Sequence, residues 1–240
     1  METTELLDDL QNGYFIFQNS EGFKFGIDAV LLADFAKECS GRIIDLCSGN
    51  GIIPLLLAAK TKAQRIDAVE IQPEMAELAE KSVVYNGLSD RIHIKCLDLK
   101  NACTEYGRGV FDAVTVNPPY MKSGSGLINE ADSKTIARHE IKCTLEDVIS
   151  AASGLLKPQG RFYMVHRPSR LVDIFCSMRK NKIEPKTIRF AAPKIGREMN
   201  LVLVCGIKNA GCELKTLPPL YVYDENGAYS KEIDEIYGRR

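Results

Sequence analysis

From residue 42 onward, short runs of apolar and β-branched residues alternate with segments whose apolar positions recur at helical spacing. The pattern predicts strands over 42–46, 65–70, 91–96 and 110–116, with helices over 52–60 and 73–86 between them. This rhythm specifies parallel βαβ units with right-handed crossovers. The punctuation agrees: Pro73 suits a first helical turn, where its missing N–H would have no partner, and Asn86-Gly87 offers a left-handed stop. After the fourth strand, residues 121–140 contain Ser-Gly-Ser-Gly and few large apolar side chains. Loops of that length inside compact domains are uncommon and tend to be functional. A helix over 144–156 follows, with Thr144 as N-cap and Glu146 and Asp147 near its positive end. Next come a strand over 160–165, a helix over 168–180 and a strand over 201–207; upstream, 28–38 reads as an amphipathic helix. The pattern divides the chain into an N-terminal lead and helix (1–41), an α/β domain (42–210) and a less regular C-terminal tail (211–240).

Composition narrows the class. With 240 residues, 45% of them apolar and 26% charged, the chain fits one large α/β domain and excludes wholesale disorder, collagen-like repeats and coiled-coil rods. The net charge of −1 gives no general attraction to polyanions or membrane surfaces, but it is unevenly spread. Between Lys157 and Arg197, eleven Lys and Arg face only Asp173 and Glu184, a local net of +9 that leaves −10 for the remainder. That stretch suits the phosphate backbone of a folded RNA, or is a basic face that serves solubility alone. No apolar run reaches membrane-spanning length, and the acidic start lacks the basic residues and apolar core of a signal peptide, so a cytoplasmic protein without membrane contact is expected. The eight cysteines occur singly with no C-x-x-C pair, and are expected to be reduced, mostly buried thiols with no metal site. His93 and His166 fall in strand patterns and read as structural.

The candidate chemistry sits where strands end. The first strand runs into Asp45-Leu-Cys-Ser-Gly-Asn-Gly51 and then a helix, so its glycines fall at the carboxyl edge of the sheet, where a ligand can approach the backbone closely. This is a nucleotide crevice, or a glycine turn that merely packs. Glu70 ends the second strand, nineteen positions after Gly51, where a carboxylate accepts from both hydroxyls of an adenosyl ribose; NAD and S-adenosylmethionine both fit. Asp98, just past the third strand, lies where it can accept from an adenine amino group, or is a solvated turn residue. Asn117-Pro-Pro-Tyr120 directly follows the fourth strand. Its prolines fix the backbone, so that the Pro118 carbonyl and the Asn117 side-chain oxygen form two adjacent acceptors, while Tyr120 adds a flat face for a planar base. Two acceptors gripping an amino group favour the pyramidal geometry its nitrogen needs for attack.

With these residues in this order, the chain resembles the class I S-adenosylmethionine methyltransferases that modify planar amino groups. Within them it is similar to the bacterial tRNA (adenine-N6)-methyltransferases, which act on adenine 37 of a valine tRNA. The closer likeness rests on Phe23-Lys-Phe-Gly-Ile-Asp-Ala-Val-Leu-Leu-Ala33, Gly51-Ile-Ile-Pro-Leu-Leu-Leu-Ala58, Asn117-Pro-Pro-Tyr-Met-Lys122, Ala137-Arg-His-Glu140 and Arg197-Glu-Met-Asn-Leu-Val-Leu-Val204, spanning about residues 10–210. It implies a doubly wound, Rossmann-like α/β fold with a mainly parallel seven-stranded sheet, S-adenosylmethionine as cofactor and tRNA as substrate. The cofactor contacts it implies start with Asp45, Cys47, Gly49 and Gly51 in the turn, and Glu70 with Ile71 after the second strand. Asp98 with Leu99 and Asn117 complete them, and Phe23 and Asp28 close over the methionine end, unless these two are core and N-cap residues. Catalysis is assigned to Asn117, Pro118 and Tyr120, and substrate contact to Tyr120, Lys122, Arg138 and His139, although an exposed Arg-His pair is often only solvated. Cys47 stands where the usual turn has glycine. A release-factor-type protein glutamine N5-methyltransferase fits the same two acceptors but usually has a helical domain ahead of the first strand. A nicotinamide oxidoreductase would need a hydride-transfer site beside Asn117, and a non-catalytic RNA-binding domain would not need Gly49, Gly51, Glu70 and Asn117 together. Oligomeric state has no signature in the pattern.

Overall fold

The computed structural model describes residues 5–11, 13–19, 26–119 and 143–239. It opens with a feature the residue pattern does not predict: an antiparallel hairpin of β1 (Glu5–Asp9) and β2 (Phe15–Asn19). The strand and helix order then follows the expected alternation: α1 (Ile27–Phe35), β3 (Ser40–Leu46), α2 (Ile52–Lys60), β4 (Lys62–Glu70), α3 (Pro73–Tyr85), β5 (Ile92–Cys96). A 3-10 turn (Leu99–Asn101), α4 (Ala102–Tyr106) and β6 (Phe111–Val116) complete the first half. The second half holds α5 (Leu145–Leu155), β7 (Leu156–His166), a 3-10 turn (Pro168–Arg170), α6 (Leu171–Lys180), β8 (Ile183–Ala192) and β9 (Leu201–Lys208). Two short strands, β10 (Lys215–Thr216) and β11 (Leu220–Tyr221), and α7 (Lys231–Tyr237) lie in the tail that the sequence leaves irregular.

The sheet order is β10-β8-β9-β7-β6-β3-β4-β5, with β11 also on β8. Strands β3 to β7 are mutually parallel, and β9 runs antiparallel to both β7 and β8. Seven long strands therefore form the expected mainly parallel, doubly wound sheet, lengthened at one edge by two two-residue strands. Alternation along each strand feeds two cores. Ile43, Tyr163 and Val165 enter the one beneath α1 and α2; Ile44, Phe162 and Met164 enter the one beneath α5 and α6.

Local differences from the residue pattern have identifiable causes. The helix expected over 28–38 begins at Ile27 with Gly26 as its N-cap, so Asp28 sits in the first turn and is not the cap. β8 escapes notice because Pro185 and three charged residues break its alternation; Pro185 is accommodated at a register shift against β9, a position where a missing donor is tolerated. The N-terminal hairpin is held by a distant helix: Ser82 Oγ accepts from Phe17 N at 2.9 Å and Asn86 Oδ1 from Phe15 N at 2.8 Å. Of the cysteines, only Cys39 and Cys205 are buried, with Cys47, Cys103 and Cys143 partly so and Cys96, Cys176 and Cys212 exposed, which corrects the expectation of mostly buried thiols. Thr144 caps α5 as expected, in a reciprocal pair with Asp147.

Candidate active site

The carboxyl ends of β3, β4 and β6 define one edge of the sheet, and the β3-to-α2 turn lies on it. Leu46 is followed by Cys47, Gly49 and Gly51 with φ of +57°, +56° and +84°, and the two glycines serve different ends. A Cβ on Gly51 would meet Ala79 Cβ at 2.9 Å, so this position lets α3 pack against the turn. Among the described residues a Cβ on Gly49 would find only Met75 Cε, at 3.9 Å, so its backbone borders open space there. Cys47 takes a left-handed conformation that favours glycine, at a cost of about 1 kcal/mol. The neighbouring Cys143 thiol, and then burial, raise the Cys47 thiol well above its usual range, while the same pairing lowers that of Cys143 against its own burial.

Glu70, buried at the end of β4, clasps this turn. Its Oε2 accepts from Gly49 N at 2.9 Å, and its Oε1 from Gln72 N at 3.0 Å and Gln72 Nε2 at 3.2 Å, tying the turn to the start of α3. Asp45, fully buried, accepts from Thr115 Oγ1, but its Oδ2 and the Ser48 Oγ have no partner among the described residues. Burial, then the nearby Glu70 charge, raise the Asp45 carboxyl well above the usual carboxylate range, against the Thr115 bond. An unmatched buried acceptor is costly, so this corner suits a ligand bearing a donor or positive charge.

Beyond β5, Asp98 caps the 3-10 turn by accepting from Lys100 N at 2.9 Å; Leu99 behind it is buried, and Ile71 is half-buried after Glu70. At the end of β6, Asn117 is half-buried and Pro118 buried. Asn117 Nδ2 donates to Asp28 Oδ2 of α1 at 3.2 Å. Asp28, Asp45, Cys47, Gly49, Gly51, Glu70, Ile71, Asp98, Leu99, Asn117 and Pro118 thus belong to this edge or to the helix joined to it. Phe23, Tyr120, Lys122, Arg138 and His139 lie outside the described residues. Residue reasoning missed Ser48, Thr115 and Gln72; Ser48 lies inside the glycine segment, whereas Thr115 is revealed only by β6 neighbouring β3.

The basic stretch is split by the strand directions. β7 and β8 run toward the site edge and β9 away from it, so Arg167, Arg170, Lys194 and Arg197 lie at the site edge, while Arg179, Lys180 and Lys182 lie at the opposite edge. Many of these cations are already paired: Lys157 with Asp112 at 2.7 Å, Arg170 with Asp173 at 2.8 Å, Arg179 with Glu184 at 2.6 Å, Lys180 with Glu146 at 3.0 Å and Arg189 with Glu232 at 2.5 Å. Among the described residues Lys194 and Arg197 have no ion pair; they flank Ile195, which is 69% exposed.

Comparison with known proteins accords with this arrangement. The family described as "Methyltransferase small domain" matches residues 26–174. A protein of Porphyromonas gingivalis named tRNA1(Val) (adenine(37)-N6)-methyltransferase is 36% identical over 166 residues, covering 66% of this chain and 64% of that relative's length. One of the same name from Aeromonas salmonicida is 26% identical over 215 residues, covering 89% and 88%. Among solved structures, a predicted O-methyltransferase from Agrobacterium tumefaciens superposes with a TM-score of 0.71 at 26% identity, covering 89% of this chain and 96% of that one.

Proposed function

Because the chain belongs to the Methyltransferase small domain family, we propose that it is an S-adenosylmethionine-dependent methyltransferase acting on the exocyclic N6 amine of an adenine in tRNA. Position 37 of a valine tRNA is the target named for its relatives. The observation that carries the reading is the meeting of two features on neighbouring strands. One is the glycine turn with its unmatched Asp45 Oδ2 and Ser48 Oγ; the other is Asn117-Pro118 at the end of β6.

The residues present fit the cofactor. Asp45 Oδ2 and Ser48 Oγ would receive donors of its amino-acid end, Gly49 leaves room for close approach, and Glu70 has acceptor capacity beyond the bonds it makes in the turn. S-adenosylmethionine, when bound, supplies a sulfonium-bound methyl group, so no electrophile has to be built. The chain's own task is alignment of the attacking nitrogen. Asn117 Oδ1 and the Pro118 carbonyl accept the two hydrogens of the amine and draw it toward the pyramidal geometry of attack. No general base is required beforehand, since the nitrogen becomes strongly acidic once it is cationic. In this reading Tyr120 stacks on the adenine, which in a tRNA loop is already unpaired and cheap to swing out. Phosphate contact falls to Lys194 and Arg197 at the site edge, with Lys122, Arg138 and His139 from the sequence.

In this reading 42–210 is the methyltransferase domain, 1–41 is a lead and helix that packs on the cofactor site, and 211–240 is a C-terminal tail. Among the described residues no helix is long and apolar enough to cross a membrane, and a cytoplasmic setting suits a tRNA substrate. Incubation with methyl-labelled cofactor and either bulk tRNA or release factor tests the proposal. N6-methyladenosine in digested tRNA is the expected product; label in release factor, or in neither, overturns it.

A further inference from the structure

Asn117 has two chemically different ends, and only the oxygen can accept a hydrogen from the target amine. Its Nδ2 lies 3.2 Å from Asp28 Oδ2. A carboxylate has no donor, so the amino end must face Asp28; the reversed amide would set oxygen against oxygen. We infer that Asp28 is a positioning residue: by engaging Nδ2 it holds Asn117 with Oδ1 turned toward the amine to be methylated. The inference rests on the methyltransferase reading above.

Asp28 is built to hold still. Its Oδ1 accepts from Ala29 N at 3.0 Å in the first turn of α1, where the helix end favours negative charge. The next five residues, Ala29 to Ala33, are all buried, so the carboxylate rides on a helix anchored in the core. Gly26 leaves the necessary room, since a Cβ there would approach Asp28 Oδ1 to 2.5 Å. The bond links residues 89 apart in sequence, joining α1 to the end of β6. Without it, Asn117 can rotate and offer Nδ2, a donor, to an amine that already carries two donors. One acceptor is then missing at the moment when the nitrogen must pyramidalise.

The experiment compares Asp28→Ala, Asp28→Asn, Asn117→Ala and the Asp28→Ala/Asn117→Ala double variant. Single-turnover methyl transfer to tRNA is measured at saturating cofactor, alongside calorimetry with S-adenosylhomocysteine and 15N spectra of the Asn117 side-chain amide. Asp28→Ala is expected to slow transfer about 10- to 100-fold while S-adenosylhomocysteine affinity and the KM for tRNA stay within about threefold. Its Asn117 amide resonances should shift or broaden; Asp28→Asn, with one oxygen for the two donors Ala29 N and Asn117 Nδ2, should recover part of the rate; and the double variant should be no slower than Asn117→Ala alone. If Asp28→Ala loses cofactor affinity but transfers at the parental rate when saturated, Asp28 is a cofactor ligand and the inference fails. Additive losses in the double variant, or an unmoved Asn117 amide, overturn it equally. Should Asp28→Ala not fold, Asp28→Asn read against Asn117→Ala decides, since a rate loss no smaller than that of Asn117→Ala excludes a shared role rescued by the oxygen. Parental transfer by Asn117→Ala would sink the two-acceptor reading itself, a separate and distinguishable failure.

Discussion

Thr115 donates a 2.6 Å hydrogen bond to Asp45 Oδ1 across the β3–β6 pair, where the two residues stand directly opposite. That bond satisfies one carboxylate oxygen and leaves Oδ2 buried beside Glu70 without a partner among the described residues. A carboxyl whose folded pKa is raised contributes stability below its unfolded pKa of about 3.9, and that contribution is lost as pH rises through the folded value. At neutral pH, Asp45→Asn should therefore stabilise the ligand-free protein, since Asn retains an acceptor for Thr115. A gain of about 1 kcal/mol corresponds to roughly 2–4 °C in Tm. The gain should vanish in melts at about pH 3, where Asp45 is neutral in both states, and S-adenosylhomocysteine affinity should fall at the same time.

Glu70→Ala strips acceptors from Gly49 N and from both Gln72 nitrogens. Leaving a buried N–H unmatched costs about 1–3 kcal/mol, which denaturant unfolding will read. Titration with S-adenosylhomocysteine should show affinity weakened tenfold or more if Glu70 also holds the ribose hydroxyls, because the turn geometry and those hydrogen bonds would disappear together. Parental affinity in a folded variant would confine Glu70 to holding the turn.

His166 is buried at the end of β7, and burial, reinforced by the Arg170 cation, lowers its pKa to about 4. The unfolded chain binds the proton below about pH 6.5, so the stability that neutral His166 contributes is present above that pH and lost as pH falls toward 4. The loss amounts to at most about 3 kcal/mol. His166→Gln, which cannot titrate, should flatten the dependence of unfolding free energy on pH across this window; an unchanged slope would mean that His166 is not the group responsible.

Charge reversal at the site edge of the sheet, but not at the far edge, should affect RNA binding. Lys194→Glu with Arg197→Glu, at the site edge, should weaken tRNA binding and reduce the slope of log affinity against log salt by about 1 for each phosphate no longer neutralised. Lys182→Glu, at the far edge, should leave both unchanged. Cofactor affinity is the control for each, and an equal effect at both edges would remove the site-edge loop from the RNA footprint.

Periodicity and turn chemistry are local properties, and the features that depend on them were legible in the residue order. Helix Ile52–Lys60 has the bounds its pattern predicts, β3 to β6 lie where apolar runs occur, and Asp45, Glu70, Asp98 and Asn117 fall at or just beyond strand ends. The bulk of the candidate site follows from that alone, because successive parallel strands deliver their carboxyl ends to one edge. What the tertiary structure decided are relationships between segments far apart in sequence. β2 exists as a strand because Ser82 and Asn86 of the α3 region satisfy its outward N–H groups, and β8 because β9 and a register shift absorb Pro185. One basic stretch becomes two edges because β7 and β8 both run toward the site edge, with α6 returning the chain to the opposite edge between them. Thr115 meets Asp45, and Asp28 meets Asn117, only once β6 has inserted beside β3 and α1 has docked on the sheet. Strand order is set by the burial of two faces at once, a global optimum that no window of residues contains.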